Sequence, residues 1–301
     1  MYVLRNLKEK DNADDPKRMR IQEEVVYTSK SELRNPVKLF KKMFSDLFGS
    51  WDLAKSLLFR DINAKYRQSI LGYLWAFLPA LFTSLTFTLA SNSRAITFEE
   101  TDIPYPAFVI FGMVIWQTFV EAINGPVQTM ADSKAMLAKI NFKREALFIA
   151  KFLEVWFSFS IKMILLIGVF VYFELPIYWT VVFAPFALSI LILLGILVGL
   201  FLSPFSLLYK DISYGLAIFI NFFLFITPVI FPKPTVGTFA TLVNFNPITH
   251  LIEAIRELTL GPAGFDFTSF YITSGITLCL VFIAWLTFRL AMPFAIERVT
   301  S

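Results

Sequence analysis

The chain has 301 residues, of which 56% are hydrophobic and only 17% are charged, and its mean hydropathy is +0.65. A soluble domain has about a quarter of its residues charged, so this composition excludes an ordinary soluble protein and indicates a membrane protein with several spans. The net charge of +4 comes from basic residues that flank apolar segments, which points to membrane topology and not to nucleic-acid binding.

A metal centre, a disulfide or an active site is not expected. The chain holds one cysteine, Cys279, and one histidine, His250, whereas zinc sites and intramolecular disulfides need several such residues. None of the twelve glycines is followed by lysine, so a phosphate-binding loop ending in Gly-Lys-[Ser/Thr] is absent. We therefore predict no catalytic residues and no bound cofactor. If ATP drives this chain, a partner must hydrolyse it.

Residues 1–50 are polar and mixed in charge, and we interpret them as a cytoplasmic extension and not as a cleavable signal peptide. Residues 51–69 are predicted to form an amphipathic helix at the membrane interface, because apolar residues recur there at three- and four-residue steps. These are Trp51, Ala54, Leu58, Ile62 and Tyr66. Two interpretations stay open: a basic anchor that fixes topology, or a membrane-lying helix that borders a substrate entrance.

Six transmembrane helices are predicted, since about 20 apolar residues cross ~30 Å of hydrocarbon. They are Ile70–Ser91, Pro106–Val127, Ala146–Phe173, Trp179–Leu202, Tyr214–Ile230 and Phe267–Met292. Pro79 is expected to kink the first, because it frees the carbonyl of Trp75.

The basic residues near the ends of these spans predict the orientation. Ten lie on the side of the N-terminus and three on the other side. The ten are Lys55, Arg60, Lys65, Arg67, Lys134, Lys139, Lys143, Arg144, Lys210 and Arg298, and the three are Arg94, Lys233 and Arg256. Both termini are therefore expected in the cytoplasm.

Two connections look structured. The cytoplasmic loop Met130–Glu145 has a helix-favouring composition and is either a solvated linker or a docking helix that exposes Met136, Leu137 and Ile140. The external connection Phe231–Asp266 is too long for a turn. It contains a predicted helix, Pro247–Leu260, which Asn246 caps and Gly261 ends. Its length of about 21 Å is too short to cross the membrane, so we expect it to lie in the interface or to be re-entrant.

Several segments, in the order in which they occur, resemble the membrane (permease) subunit of bacterial type-2 ABC polysaccharide exporters, which serve O-antigen (lipopolysaccharide), capsule and teichoic-acid export. The matching positions are Leu58-x-Arg60-Asp61, Lys65-Tyr66-Arg67-Gln68-Ser69, Leu71-Gly72, Trp75, Pro79, Pro104-Tyr105-Pro106, Gly112, Trp116, Leu137-x-Lys139, Phe142, Arg144-Glu145, Thr227-Pro228-Val229-Ile230-Phe231-Pro232, Asn246-Pro247 and Arg256. The resemblance begins near Leu53, so residues 1–50 lie outside it.

The resemblance implies a homodimer of six-span subunits in the bacterial inner membrane, with two ABC ATPase subunits that carry ATP and magnesium. It implies a gate helix at residues 51–69, a coupling helix in the loop Met130–Glu145 and re-entrant helices between spans 5 and 6. The substrate would be a polysaccharide linked to polyprenyl pyrophosphate. The expected ATPase-coupling residues are Met136, Leu137, Lys139, Ile140, Arg144 and Glu145.

The substrate headgroup would be met at Arg60, Lys65, Tyr66 and Arg67, because guanidinium groups bind phosphate in a bidentate manner. Aromatic rings pack against sugars, and the predicted channel lining is Tyr73, Trp75, Phe77, Phe222 and Phe223. Any of these rings could instead face lipid.

Apart from Arg289 near the end of the sixth span, four charged residues fall inside predicted spans, namely Glu121, Lys151, Glu154 and Lys162. Such groups must face protein or water, and they form either a structural ion-pair cluster or hydrogen bonds to sugar hydroxyls.

Other functions remain as alternatives. A permease for teichoic acid or another lipid-linked glycan would show the same features. A self-contained secondary transporter would show an internal repeat, and none is evident. A membrane-embedded transferase would show clustered catalytic carboxylates or histidines in its loops, and the loops lack them.

Overall fold

The computed structural model describes residues 36–67, 72–93, 101, 103–132, 145–261 and 267–300, and every regular element in these ranges is helical. The α-helices in chain order are α1 Pro36–Phe48, α2 Trp51–Arg67, α3 Leu78–Asn92, α4 Tyr105–Asp132, α5 Glu145–Tyr172, α6 Ala184–Leu208, α7 Asp211–Ile226, α8 Thr238–Phe245, α9 Pro247–Leu260 and α10 Phe267–Thr300. Two 3₁₀ helices, Gly72–Ala76 and Trp179–Phe183, directly precede α3 and α6. The all-helical prediction is confirmed for these residues.

Four of the predicted spans are helices long and apolar enough to cross a membrane. They are Tyr105–Met130, Glu145–Tyr172, Trp179–Leu208 and Phe267–Met292. The predicted first and fifth spans correspond to α3 and α7, of 15 and 16 residues. Helices of that length measure about 22–24 Å, less than the ~30 Å hydrocarbon core. Their crossing of the membrane therefore stays a prediction.

The first predicted span differs from the single kinked helix expected from Pro79. The chain forms a 3₁₀ helix up to Ala76, keeps helical backbone angles at Phe77 and begins α3 at Leu78. Pro79 thus occupies the first turn of α3, where the absence of its N–H group costs nothing because first-turn N–H groups have no intrahelical acceptor. The fifth predicted span also ends early, because Thr227 is extended and Pro228 follows it.

The core is built on α4, which is almost wholly buried along its apolar length, and on α6, which packs against it. Two glycines in α6 permit this close approach. A Cβ atom at Gly195 would lie 2.6 Å from the Cβ of Ala122, and one at Gly199 would lie 2.4 Å from the carbonyl oxygen of Ile123. Small residues four apart let helix backbones approach closely in membranes.

The connection 231–266 contains the predicted helix α9 with the predicted bounds. The side chain of Asn246 accepts a hydrogen bond from the backbone N–H of Ile248, so the predicted cap is confirmed. The apolar residues at three- and four-residue steps along α9 are buried, namely Ile248, Leu251, Ile252, Ile255 and Leu258. A second short helix, α8, precedes it and was not predicted.

Helix α1 was also not predicted, because residues 1–50 were interpreted only as a polar extension. Its residue Met43 is fully buried and forms a small apolar cluster with Trp285 of α10. The apolar spacing of Met43, Phe44 and Leu47 is a helical signal that could have revealed it.

Candidate functional site

The predicted interfacial helix exists as α2, and an ion pair holds it against the start of α5. The Nζ of Lys151 lies 2.9 Å from Oδ2 of Asp61 in α2 and 2.6 Å from Oε2 of Glu154, one turn along α5. Ala54 and Leu57 of α2 are buried at the same interface. The buried face therefore shares Ala54 with the predicted apolar face but also includes Leu57, which was not predicted, and leaves Trp51 exposed.

The same network reaches the residues predicted to meet a substrate headgroup. Arg60 places Nη2 2.8 Å from Oδ1 of Asp61 and leaves about half of its own side chain exposed. The Nζ of Lys65 lies 4.0 Å from Oε1 of Glu154. The charges of α2 and of α5, which the sequence suggested as two separate groups, thus form one network. The side chains of Tyr66 and Arg67 lie outside the described residues.

A polar cavity of about 250 Å³ lies between α2, α4 and α5. Its polar lining residues are Lys65, Glu121, Asn124, Gln128, Thr129, Lys151 and Glu154. Lysines, carboxylates and amides here offer both donors and acceptors.

A second ion pair connects α4 and α5 further along. The Nζ of Lys162, whose side chain is 1% exposed, lies 2.8 Å from Oε1 of Glu121. The predicted cluster of buried charges is therefore two linked features, the Lys162–Glu121 pair and the network around Lys151. Glu121 of the first feature and Lys151 of the second both line the polar cavity.

Two polar stripes at helical spacing lie along the seam between α4 and α5, and only their charged members were predicted. The stripe on α4 is Gln117, Glu121, Asn124 and Gln128, and the stripe on α5 is Lys151, Glu154, Ser158 and Lys162. Within the described part of the chain, Oγ of Ser158 and Nε2 of Gln117 have no hydrogen-bond partner. Buried polar atoms of this kind bind water or a ligand hydroxyl, so the seam is suited to hydrated or hydroxyl-bearing groups.

A third charged cluster joins α1, α5 and α10. Arg289 places Nη1 2.7 Å from Oε1 of Glu145 and Nη2 3.0 Å from Oδ2 of Asp46. Glu145 is the one predicted ATPase-coupling residue within the described ranges, and it is buried, so its carboxylate faces the protein interior. The other five, Met136, Leu137, Lys139, Ile140 and Arg144, lie outside the described residues.

At the opposite end of α4, Arg256 of α9 fixes the segment 227–260 against α4. Its guanidinium lies 3.8 Å from the ring centre of Phe108 and donates to the carbonyl oxygens of Pro228 and Val229, each at 3.2 Å. Burial lowers the pKa of Arg256 to about 10, and the carboxylate of Glu253 partly offsets that effect. Arg256 is therefore charged at neutral pH. In the sequence it was identified as a topological charge and as a position of the family resemblance, but its contacts with Phe108, Pro228 and Val229 were not predicted.

The predicted channel aromatics lie on the surface of the single chain. Tyr73, Trp75 and Phe222 are exposed, and Phe77 and Phe223 are partly exposed. In a membrane protein such rings contact lipid, a second subunit or a transported molecule.

Comparison of the sequence with known protein families identifies the family of this chain. Residues 52–260, from the start of α2 to the end of α9, match the ABC-2 type transporter family. The chain belongs to that family. The matched region of this ABC-2 transporter chain includes the α2–α5 network and the contacts of Arg256. Helix α1 and Arg289 lie outside it.

Characterised relatives of the ABC-2 chain share low identity over most of their length. An O-antigen export system permease protein RfbA of Myxococcus xanthus is 22% identical over 222 residues, which is 72% of this chain and 84% of that protein. A protein of the same name from Klebsiella pneumoniae is 21% identical over 80% of this chain and 93% of its own length. The polysialic acid transport protein KpsM of Escherichia coli is 23% identical over 68% of this chain and 80% of its own length.

Proposed function

We propose that this chain is the channel-forming membrane subunit of an ABC transporter that exports a lipid-linked polysaccharide, of the O-antigen or capsule kind, from the cytoplasm across the inner membrane. The observation that carries the proposal is that the relatives matched along most of the chain are permeases for O-antigen export and a polysialic acid transport protein. ATP would be hydrolysed, with magnesium, on a separate ATP-binding cassette subunit, present in two copies.

The proposed topology has six spans with both termini in the cytoplasm. The 3₁₀ helix Gly72–Ala76 supports the first span, because its ~10 Å adds to the length of α3 and brings the sum to about 32 Å. The fifth proposed span would continue beyond α7 into the buried segment 227–230. Arg256 and Tyr105 donate hydrogen bonds to carbonyl oxygens of that segment. The basic residues of α2 and the start of α5 then share the cytoplasmic side.

A homodimer would supply the channel. The exposed aromatics of α7, including Phe219, Phe222 and Phe225, and the exposed Tyr73 and Trp75 offer apolar and aromatic surfaces to a second copy and to the polymer between the copies. Flat rings pack against sugar C–H surfaces without holding the polymer through charge, which suits passage of a long polysaccharide.

The cytoplasmic loop would dock the ATPase through Met136, Leu137 and Ile140, with Lys139 and Arg144 orienting it. The described structure supports this role at the loop's two ends: α4 extends to Asp132, and α5 begins at the buried Glu145. The loop is thus held between two long helices that run through the membrane domain.

The headgroup entrance would be formed by Arg60, Lys65, Tyr66 and Arg67 of α2. The exposed half of Arg60 and the network behind Lys65 support this proposal, because the side chains that would face an anionic headgroup are held in place by Asp61 and Glu154. A polyprenyl pyrophosphate carries several negative charges and suits such a surface.

Changing Arg60 and Arg67 together to lysine tests whether the entrance recognises pyrophosphate. Net charge and topology are kept, but lysine cannot bind phosphate in a bidentate manner. Losing one charge-assisted hydrogen bond costs about 1.5 kcal/mol or more, so we expect about ten-fold slower export and loss of substrate-stimulated ATP hydrolysis. Arg298→Lys, at an exposed position in the last turn of α10, is the control. Wild-type export by the double variant would reduce α2 to a basic anchor.

A further inference from the structure

Helix α1 is joined rigidly to α2. Only Gly49 and Ser50 separate them, and the backbone N–H groups of both residues donate to carbonyl oxygens of α1, at 2.9 Å to Ser45 and 3.3 Å to Leu47. Ser50 is buried, its hydroxyl donates to the carbonyl oxygen of Asp46, and its own carbonyl accepts from Ala54 at 2.8 Å. A displacement of α1 therefore carries α2 with it.

The α1–α2 unit holds the start of α5 at two points. Asp46 of α1 reaches Glu145 through Arg289 of α10, and Asp61 of α2 binds Lys151 directly. Residues 145 and 151 are about 9 Å apart along one helix. A single contact would act as a pivot, whereas two contacts make the start of α5 and the α1–α2 unit move together.

The first contact depends on the geometry of arginine. The Arg289, Asp46 and Glu145 side chains are 10%, 13% and 8% exposed. A planar guanidinium can bind two carboxylates through separate nitrogen atoms, which is the arrangement found here. A buried group of this kind also excludes the water that would weaken its attraction.

We propose that Arg289 is a positioning residue that ties the ATPase-facing loop to the helix at the substrate entrance. Glu145 directly follows residues 133–144, so movement of that loop displaces Glu145, and Arg289 passes the displacement through Asp46 to α1 and α2. The inference rests on the proposed function, because it takes residues 133–144 as the ATPase-docking loop. It assigns a role to α1 and Arg289, both of which lie outside the matched family region.

The test breaks the α1 contact and leaves the charges balanced. Asp46→Ala removes one carboxylate but leaves Arg289 with Glu145, so no buried charge loses its only partner. Asp52→Ala, at an exposed carboxylate in the first turn of α2, is the matched control, and Asp46→Glu is the conservative rescue. For each variant, the full complex with its ATPase is purified, ATP hydrolysis is measured, and export of the cell's own polysaccharide is quantified.

The expected result is an ATPase that stays bound and hydrolyses ATP, with export per ATP lowered. Coupling free energies between sites correspond to about 5- to 150-fold effects. We therefore expect the ratio of polysaccharide exported to ATP hydrolysed to fall about five-fold or more in Asp46→Ala. The ratio should stay unchanged in Asp52→Ala and recover in Asp46→Glu. A merely structural contact would lower protein yield without changing this ratio. If Asp46→Ala gives no folded protein, Asp46→Asn, which keeps the side-chain shape, replaces it.

Two results would overturn the inference: a ratio equal to that of Asp52→Ala, or loss of the ATPase from a folded Asp46 variant, which would assign the contact to docking. If the unaltered chain retains no ATPase, the proposed function has failed, and that outcome is distinct from both.

Discussion

Replacing Glu121 with leucine is expected to destabilise the folded protein strongly. Lys162 is almost completely buried, and Glu121 lies 2.8 Å from its ammonium group. Removing one partner of a buried ion pair costs about 3–5 kcal/mol, because the other charge remains without compensation. In a chain of this size such a loss lowers the melting temperature by roughly 10 °C or more. Thermal unfolding of the purified protein, followed by size-exclusion chromatography, measures it.

The double variant Glu121→Leu with Lys162→Met is the control for this experiment. Removing both charges together is often neutral for stability, so the double variant should fold and melt near the unaltered protein. Its export then reports whether the pair has a role beyond stability. A Glu121→Leu variant with the melting temperature of the unaltered protein would show that Lys162 does not depend on this carboxylate.

Gly112→Ala is expected to separate the segment 227–260 from α4. A Cβ atom at Gly112 would lie 2.2 Å from the carbonyl oxygen of Val229 and 2.7 Å from Nη2 of Arg256. Neither group can move freely, since Arg256 donates to that same carbonyl and lies on the ring of Phe108. Overpacking costs about 1–3 kcal/mol, occasionally more, and here it also disturbs a buried guanidinium. We expect reduced melting temperature and loss of export.

Gly168→Ala provides the matched control for that substitution. Gly168 is also a helical glycine, in α5, and a Cβ atom there meets nothing within 4 Å. Alanine stabilises helices by about 1 kcal/mol relative to glycine, so this variant should be as stable as the unaltered protein or slightly more so. Equal melting temperatures and equal export for the two alanine variants would mean that the segment 227–260 tolerates displacement at Gly112.

The elements that the sequence predicted well are those with local signals. Helix α9 has its capping residue, first-turn proline and terminal glycine within one short stretch, and its bounds agree with the prediction. The four long spans follow from apolar length alone. Helix α1 was missed, because its short apolar face lies in a polar region and is buried by residues far away in the chain, among them Trp285 of α10 and Phe148 of α5.

The charged residues of α4 and α5 were predictable from the sequence, but their contacts with α2 and α10 were not. The sequence indicated that Lys151 and Glu154 share a helical turn, and that pair is present. The bond from Lys151 to Asp61 spans 90 positions, and the bond from Arg289 to Asp46 spans 243. Such pairings depend on how helices pack in three dimensions, and periodicity along a single helix carries no information about them.

The central claim, that this chain exports polysaccharide and is driven by a separate ATPase through residues 133–144, is tested most directly by surface polysaccharide. The measurement uses cells that lack the chain and receive either the unaltered protein or the Met136→Asp, Leu137→Asp double variant, whose charged side chains could not seat in an apolar groove. Surface polymer should disappear with the deletion, return with the unaltered protein and stay absent with the inserted double variant, while lipid-linked polymer accumulates inside. Surface polysaccharide that is unchanged by the deletion, or fully restored by the double variant, would contradict the account.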